Sequence, residues 1–308
     1  MTARSRGWRR SGWRKTSRAG RASTIRSRTE PLPRDILPTL GTLPIASITA
    51  PIIWTAVKPI VDRGARDTAG RVLQHIGGVC RYAEGMGLIE RDPTPAVREL
   101  LPRKGKTGRR HALLEVGALR DVLRRAERAP ISPAVRMAHR LVAFTAARIG
   151  NVVDAEWAEF ELEDDAGQWI IPRAKMKAKD RFDDHKILLG PTITAELRAW
   201  RSLTAGNGYV FPSPAGGSFI SRESIEKMLR VTLGLAGQHT VHGWRSAFST
   251  LARDEGFTRD VVELTLDHIH DTEVVRAYNR GERLVERARL MKWWDSTLTA
   301  KPLPENAT

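Results

Sequence analysis

A short basic run with no hydrophobic position, PRKGKTGRR at residues 102–110, is the feature that most constrains the fold of this chain. A cluster of cations with glycines and without apolar periodicity is typical of a linker. A chain of 308 residues is long enough for about two domains, each with its own core. We therefore predict a first domain over residues 33–103, a linker over 104–111, a second domain over 112–300 and a tail over 301–308.

The sequence of the first domain predicts a small helical bundle. Helices are expected over residues 48–61, 69–87 and 97–101, with a break at the Asp-Pro-Thr-Pro segment that begins at Asp92. In the second of these helices, apolar residues recur at helical spacing and predict one buried face, formed by Val72, Leu73, Ile76, Val79 and Tyr82.

The second domain is predicted to be mostly helical with a small sheet. Two short strands are expected over residues 168–172 and 185–189. Helices are expected on both sides of them, over residues 113–128, 135–148, 193–203, 224–233, 241–255, 259–266, 273–280 and 282–298. Trp293 and Trp294 favour packing of the last helix on its own domain over docking on a neighbouring copy. The predicted fold class is mainly α with a small antiparallel β-sheet, an α+β architecture.

The charge of the chain favours a polyanionic partner. Lys and Arg number 51 against 35 Asp and Glu, a net charge of +16. Ten of the cations and one acid fall in residues 1–30, a net of +9 that leaves +7 for the rest. The basic surplus therefore extends beyond the N-terminal segment, as DNA binding requires, although solvated basic faces are common in other proteins. We predict that residues 1–32 form a basic, disordered arm.

The cysteine count and the hydropathy pattern limit the class of protein. Cys80 is the only cysteine, which excludes a disulfide framework and a cysteine-rich zinc site. No run of about 18 apolar residues occurs, so no membrane span is predicted. A single cysteine favours a reducing cytoplasm.

Six residues of the second domain, in a fixed order along the chain, predict the chemistry: Arg148, Lys177, His242, Arg245, His268 and Tyr278. Cations, imidazoles and one phenol suit cleavage of a phosphodiester by tyrosine, without a metal or a cofactor. A free tyrosine has a pKa of about 10, so forming the phenolate at pH 7 costs roughly 4 kcal/mol. Two guanidiniums offset this cost, because they bind the phosphate oxygens and favour the negative charge that develops there. A lysine can protonate the leaving oxygen.

The sequence around these residues resembles the tyrosine recombinase (phage-type integrase) family, and within it the P4-like prophage integrases. The segment ILPTLGTLPIASIT, residues 36–49, is similar to the entry of the family's core-binding domain. The segment around Arg148 is similar to the first arginine box, and Met176-Lys177 to the lysine hairpin. His242-Gly-Trp-Arg245 is similar to the family's His-x-x-Arg motif.

The end of the second domain completes the resemblance. Leu266-Asp-His268, followed by Tyr278-Asn-Arg, is similar to the final histidine and the nucleophile of the family. The resemblance implies that Tyr278 forms a 3′-phosphotyrosyl link to DNA and releases a 5′-hydroxyl, which Lys177 protonates. It also implies that four other residues contact the scissile phosphate, namely Arg148, His242, Arg245 and His268.

The implied activity is site-specific DNA recombination, the integration or excision of a prophage or genomic island. The implied partners are double-stranded DNA at attachment sites, further copies of the chain in a homotetramer on DNA, and accessory DNA-bending or excisionase proteins. The implied first domain is a helical core-DNA-binding domain, and the second is the catalytic domain.

Two features depart from the family pattern. The family usually has an acidic residue three positions after the first arginine, where it braces the site, and Asn151 stands there, with Asp154 and Glu156 nearby. An amide accepts a hydrogen bond but brings no charge. P4-like members also begin with an arm-site-binding domain, which has no equivalent here, so we expect a truncation, a misassigned start or a shifted reading frame.

Each site residue has a simpler structural interpretation when it is taken alone. Arg148 could cap the end of a helix, and Tyr278 could be a core aromatic. Lys177 is one of several cations in a predicted turn, and its choice over Lys175 and Lys179 depends on the Met-Lys match. The order and local context of all six residues carry the specificity.

Three other functions are compatible with parts of the sequence. His239-x-x-His242 and His268-x-His270 have the spacing of metal ligands, but no HExxH motif or cysteine pair accompanies them. A DNA-binding integrase remnant without catalysis is the second alternative. A type IB topoisomerase, which uses similar chemistry, is the third, and the core-binding segment and the small size favour the recombinase.

Overall fold

The computed structural model describes residues 36–103, 111–163, 167–176, 183–204, 208–214, 219–267 and 283–300. These residues fall into two compact units, one on each side of residues 104–110. The predicted arm and tail lie outside the described residues, and so do residues 104–110 of the predicted linker and the predicted helix over residues 273–280. Lys177, His268 and Tyr278 also lie outside them.

The first unit contains four α-helices among its described residues: α1 (Leu37–Leu40), α2 (Ala50–Asp62), α3 (Arg66–Gly85) and α4 (Thr94–Glu99). Helices α2, α3 and α4 pack against one another around one apolar core. Side chains from each of these helices are almost fully buried there, among them Ile53, Ile60, Leu73, Ile76 and Val97. The helical bundle predicted for this part of the chain is therefore present.

The buried face of α3 differs from the predicted one in its last turns. Ile76 is buried as expected, but Tyr82 is 47% exposed, so the prediction of a core tyrosine was wrong. Cys80 and Ala83 are buried instead. They lie four and seven positions after Ile76, which is the spacing of a single helical face, whereas Tyr82 lies well to one side of it.

The second unit combines helices with one three-stranded sheet. Its helices are α5 (Val116–Arg128), α6 (Pro133–Thr145), α7 (Ile149–Val153), α8 (Pro191–Leu203), α9 (Arg222–Lys227), α10 (Val241–Asp254), α11 (Arg259–Thr265) and α12 (Leu284–Thr299). Its strands are β1 (Phe160–Glu161), β2 (Gln168–Ile171) and β3 (His185–Leu188).

The sheet is antiparallel in the order β1-β2-β3, with Trp169 of β2 opposite both Phe160 and Ile187. The predicted fold class, mainly α with a small antiparallel sheet, is confirmed. Strand β1 was not predicted, because two residues are too short to show an alternating pattern. No helix among the described residues is long and apolar enough to cross a membrane.

Helix α6 ends at Thr145, three residues before the predicted end at Arg148. Ala146 adopts a left-handed conformation, with φ +50°, and its N–H bonds to the carbonyl of Val142. A residue in this conformation ends a helix, because the chain turns away from the helix axis. Arg148 is therefore extended and precedes α7, so the interpretation of Arg148 as a C-terminal cap of α6 is wrong.

The C-terminal helix α12 packs on its own unit. Trp294 is fully buried, and its Nε1 donates to the carbonyl oxygen of Ala143 in α6 at 2.9 Å. The carboxylate of Asp295 accepts from the backbone N–H of Thr192, at 3.1 Å, and from its hydroxyl, at 2.6 Å. Asp295 thereby caps α8 from across the fold, since the N-cap residue Gly190 has no side chain to do so.

Candidate active site

Two arginines from distant parts of the sequence meet at one turn. Arg148 donates from Nη1 to Oδ2 of Asp267 at 2.8 Å and from Nη2 to the Asp267 carbonyl at 2.7 Å. Arg245, on α10, donates from Nη2 to the carbonyl of Leu266. Its Nη1 donates to the carbonyl of Ala146 at 2.7 Å. Two successive carbonyls of the Leu266–Asp267 turn therefore hold the two guanidiniums side by side.

The charge of Arg245 is buried but not neutralised by these bonds. The residue is 5% exposed, and the backbone carbonyls of Ala146 and Leu266 satisfy N–H groups without carrying a full negative charge. Burial, together with the nearby charge of Arg148, lowers the pKa of Arg245 to about 9. The side chain therefore stays cationic at pH 7, and the two like charges favour an anion between them.

Asp267 is a carboxylate that joins two cations. Arg173, at the end of β2, donates from Nη1 to Oδ1 of Asp267 at 3.0 Å, opposite the bond from Arg148. Burial alone would raise the pKa of Asp267, but the hydrogen bonds from Arg148 and Arg173 hold that pKa below its usual value. The residue has φ +49°, a left-handed conformation that aspartate tolerates better than most residues.

Arg173 also ties the β2–β3 hairpin to this site. Its backbone N–H donates to Oδ1 of Asp184, and its Nε donates to the carbonyl of Asp183, both at 2.8 Å. Arg173 and Asp267 are the site residues that sequence reasoning missed. Both lie close in the sequence to predicted site residues, which could have indicated them. Asp267 directly precedes His268, and Arg173 lies in the same basic run as Lys177.

Lys175 is held in an ion-pair cluster. Its Nζ donates to the Asp154 carbonyl at 3.0 Å, to Oε1 of Glu156 at 2.6 Å, and to a carboxylate oxygen of Glu159. The other oxygen of Glu159 accepts from Nε1 of the buried Trp169 at 2.8 Å. These bonds fix Lys175 in the packing around the sheet, which suits a structural cation better than a mobile proton donor.

The two polar members of the His242-Gly-Trp-Arg245 motif lie one turn apart on α10. His242 is exposed, whereas Arg245 points into the turn that holds Arg148. The hydroxyl of Thr240 accepts from the N–H of Gly243 at 3.1 Å and caps the start of the helix. The helix therefore begins directly before the motif, and His242 and Arg245 lie in its first two turns.

The two middle residues of the motif are required by packing. A Cβ on Gly243 would lie 2.9 Å from the carbonyl oxygen of His111 and 2.8 Å from Nδ1 of His239, closer than real side chains approach. Trp244 is fully buried, and its Nε1 donates to Nε2 of His139 at 3.1 Å. Gly243 and Trp244 therefore allow the start of α10 to pack closely against the core.

His239 has a structural role in the fold. It is buried, its Nδ1 accepts from the N–H of Leu113 at 3.1 Å, and its ring meets Trp244 edge-on. Burial lowers the pKa of His239 to about 4, so the ring is neutral at pH 7. Within the described ranges, no three His, Cys, Asp or Glu side chains are grouped as metal ligands. The second predicted pair, His268 and His270, lies outside those ranges.

Asn151 is placed by the backbone near the first arginine. Its N–H donates to the carbonyl of Arg148 at 2.8 Å, and the residue is buried. Its side chain has no hydrogen bond to another residue in the described parts of the chain. The acid that contacts Arg148 is Asp267, 119 positions further along the chain.

Of the six predicted site residues, the structure brings Arg148 and Arg245 together and places His242 on the same helix as Arg245. The assignments of Lys177, His268 and Tyr278 stay predictions, because these residues lie outside the described ranges.

Family comparisons match nearly the whole chain. The model described as "Phage integrase family" matches residues 114–283, which is more than half of the chain and contains all six predicted site residues. The chain belongs to the phage integrase family. A second model, "Phage integrase central domain", matches residues 7–100. The resemblance drawn from the sequence is thereby confirmed.

Curated integrases are similar over most of this integrase-family chain. Prophage integrase IntA of Escherichia coli (strain K12) is 32% identical over 270 residues, which cover 87% of this chain and 63% of IntA. The integrase of Enterobacteria phage P4 is 23% identical over 272 residues, 84% of this chain and 61% of that protein. The chain thus spans about three fifths of the length of these two relatives.

Solved integrase structures share the fold. A lambda integrase(75-356) dimer bound to a COC′ core site has a TM-score of 0.63 and 18% identity, covering 90% of this chain and 94% of that one. A lambda integrase tetramer bound to a Holliday junction has a TM-score of 0.62 and 19% identity, covering 88% of this chain and 79% of that one.

Proposed function

We propose that this protein is a site-specific DNA recombinase that cleaves and rejoins DNA through a 3′-phosphotyrosyl intermediate. One observation carries the proposal: backbone carbonyls hold the buried guanidinium of Arg245 beside that of Arg148, which brings together two positive charges that attract a phosphate. Arg148 and Arg245 place two positive charges at this turn, and Asp267 forms the ion pair with Arg148 from within the protein. A phosphodiester and a tyrosinate bring two negative charges to such a site.

The proposed reaction uses the chain's own residues and needs no further nucleophile. The Tyr278 oxygen attacks phosphorus, the bond from phosphorus to the deoxyribose 5′-oxygen breaks, and Lys177 gives that oxygen a proton. Arg148 and Arg245 bind the non-bridging oxygens, where their fixed N–H groups stabilise the transition state. The covalent link conserves the energy of the phosphodiester, so a 5′-hydroxyl of another strand reverses the step without ATP.

The two histidines complete the proposed contacts to the phosphate. His242 is exposed one turn from Arg245, a place from which it can bond the phosphate and take the phenol proton. His268 follows Asp267 directly in the sequence and is assigned a further bond to the phosphate.

The proposed partners follow from the reaction. Exchange between two duplexes needs four cleavages, so we propose that four copies assemble on double-stranded attachment sites, with accessory DNA-bending or excisionase proteins setting the direction. A lambda integrase structure is described as a tetramer bound to a Holliday junction. Mass photometry of the protein on a synthetic Holliday junction built from its cleavage site should count four protomers, and a plateau at one or two would contradict the tetramer.

A covalent capture experiment tests the proposed function and finds the substrate. The full chain is incubated with nicked duplexes whose sequence is randomised around the nick, so that cleavage releases a short strand and prevents religation. Protein linked to DNA is recovered under denaturing conditions and its DNA is sequenced. We expect covalent adducts on related sequences. Adducts on all sequences alike would favour the topoisomerase alternative, and the absence of adducts would contradict the proposal.

Substituting Lys177 and its neighbour Lys175 in turn tests which lysine donates the proton. Lys177→Met should lower the single-turnover cleavage rate by about 100-fold or more, the usual size of a lost general acid. Lys175→Met should instead reduce stability by about 2 kcal/mol, because it leaves Glu159 buried without its cation, and should change the cleavage rate of the folded protein less than threefold.

A sulfur substrate separates proton donation from other roles of Lys177. A duplex with a 5′-bridging phosphorothiolate releases a thiol with a pKa near 8.5, which leaves without a proton donor. Lys177→Met should cleave this duplex at nearly the wild-type rate. A slow variant on both substrates would show that Lys177 is not the acid.

A further inference from the structure

We propose that Asp267 is a positioning residue for recombination, the acid that fixes the guanidinium of Arg148 for the scissile phosphate. The inference rests on the proposed function of the same site. No sequence motif assigned this role to residue 267, and the position expected to hold a bracing acid carries Asn151 instead.

The contact between Asp267 and Arg148 fixes both the position and the plane of the guanidinium. Nη1 bonds to the carboxylate at 2.8 Å and Nη2 bonds to the carbonyl of the same residue at 2.7 Å. Two bonds from one planar group to one residue remove its freedom to rotate. A guanidinium has five N–H donors, so three of those on Arg148 have no partner among the described residues and can serve a phosphate.

Asp267 lies behind Arg148 and does not occupy the place of the phosphate. Its side chain is 8% exposed, that of Arg173 on its far side is 10% exposed, and that of Arg148 is 35% exposed. An anion arriving from solvent therefore meets Arg148 before the carboxylate. A carboxylate that competed with DNA for Arg148 would be the more exposed partner of the pair.

The charge of Asp267 also opposes the repulsion between the two arginines. Arg148 lowers the pKa of Arg245, whereas Asp267 raises it, so the acid offsets part of the cost of placing two guanidiniums together. Asn151 brings no charge and has no side-chain hydrogen bond within the described ranges. Among the described residues, Asp267 is the carboxylate in contact with Arg148.

Asp267→Asn is the sharpest test, because it keeps the shape of the side chain and the backbone carbonyl. The amide has one oxygen acceptor, so it can accept a hydrogen bond from Arg148 or from Arg173, but not from both. Its NH₂ group then faces the other guanidinium, to which it cannot bond. On a nicked duplex captured from the randomised library, we expect the single-turnover cleavage rate to fall about 10- to 100-fold, the size expected for one charge-assisted hydrogen bond. The Kd for that duplex should change less than about threefold.

The matched control is Asp260→Asn, the same change on α11, where the exposed Asp260 forms a long ion pair with Arg283 at 3.7 Å. Its cleavage rate should stay within about twofold of wild type. All rates are measured well below the melting temperature of the least stable variant.

A double substitution shows whether Asp267 acts through Arg148. Arg148→Lys keeps the positive charge but loses the planar guanidinium. An acid that acts by orienting that group then has little further effect on the rate. Adding Asp267→Asn to Arg148→Lys should lower the cleavage rate less than about threefold further. A loss equal to the product of the two single losses would overturn the proposal, because independent residues behave in that way.

Other outcomes also overturn the role of Asp267. Faster cleavage and a lower Kd in Asp267→Asn would show that Asp267 competes with the phosphate for Arg148. Parallel losses of melting temperature, affinity and rate would show that Asp267 has a structural role only. If wild type and Asp260→Asn form adducts and Asp267→Asn cleaves at the same rate as they do, only the role of Asp267 fails. If wild type forms no adduct on any duplex, the proposed function fails and this role fails with it.

Discussion

Replacing Tyr278 with phenylalanine should abolish the covalent protein–DNA adduct on a captured nicked duplex. Removal of the nucleophile of an enzyme that acts through a covalent intermediate lowers the rate by at least about 10,000-fold. Binding should survive, because the phenol oxygen is one atom among many contacts to the DNA backbone. The measurement is a denaturing gel for the adduct, together with a mobility shift for the complex.

The chain offers a complete set of controls for this experiment, because it has only three tyrosines. Tyr82→Phe changes an exposed residue of the first unit, and Tyr209→Phe changes a ring that packs edge-on against Phe219. Both variants should form the adduct at nearly the wild-type rate. An adduct that persists in Tyr278→Phe and disappears in either control would assign the nucleophile to another tyrosine.

Arg245→Lys should lower the single-turnover cleavage rate by about 100- to 1,000-fold, the loss found when one fixed donor to a developing oxyanion is removed. Lysine keeps the positive charge, but its ammonium cannot bond the Leu266 carbonyl, the Ala146 carbonyl and a phosphate in the planar arrangement of the guanidinium. The melting temperature should fall by a few degrees, because a buried carbonyl loses its donor.

Arg253→Lys is the matched control on the same helix. Arg253 lies two turns after Arg245, is half-exposed and pairs with Glu263. Its replacement should change the cleavage rate less than about twofold, since lysine keeps the positive charge beside Glu263 and the site is half-exposed. A rate for Arg245→Lys within threefold of wild type would contradict the assignment of Arg245 to the phosphate.

Much of the fold was readable from the sequence, because its helices have apolar faces of helical period and its boundaries carry Pro, Gly and Thr. The exceptions have local physical causes. Ala146 takes a left-handed conformation that no propensity for alanine indicates, and it ends α6 early. Tyr82 was assigned to the core by its hydrophobicity, although the buried face of α3 runs through the smaller Cys80 and Ala83.

The candidate site was readable only in part. Arg148 and Arg245 are recognisable from their motifs, and the structure brings them together at one turn. The partner of Arg148 was not recognisable, because Asp267 lies 119 positions away and a carboxylate inside a basic motif has no periodicity to indicate its contacts. Similarly, a sequence shows that Lys175 is a cation but not that two glutamates hold it.

Mapping the covalent link within the adduct identifies the residue that attacks the DNA and the end that it leaves. The adduct on a captured duplex is digested with nuclease and trypsin, and the modified peptide is sequenced by mass spectrometry. We expect the peptide Ala-Tyr-Asn-Arg, residues 277–280, to carry a nucleotide through its 3′-phosphate on Tyr278, and the released strand to end in a 5′-hydroxyl. A nucleotide on any other residue, or a 5′-phosphate on the released strand, would contradict this expectation.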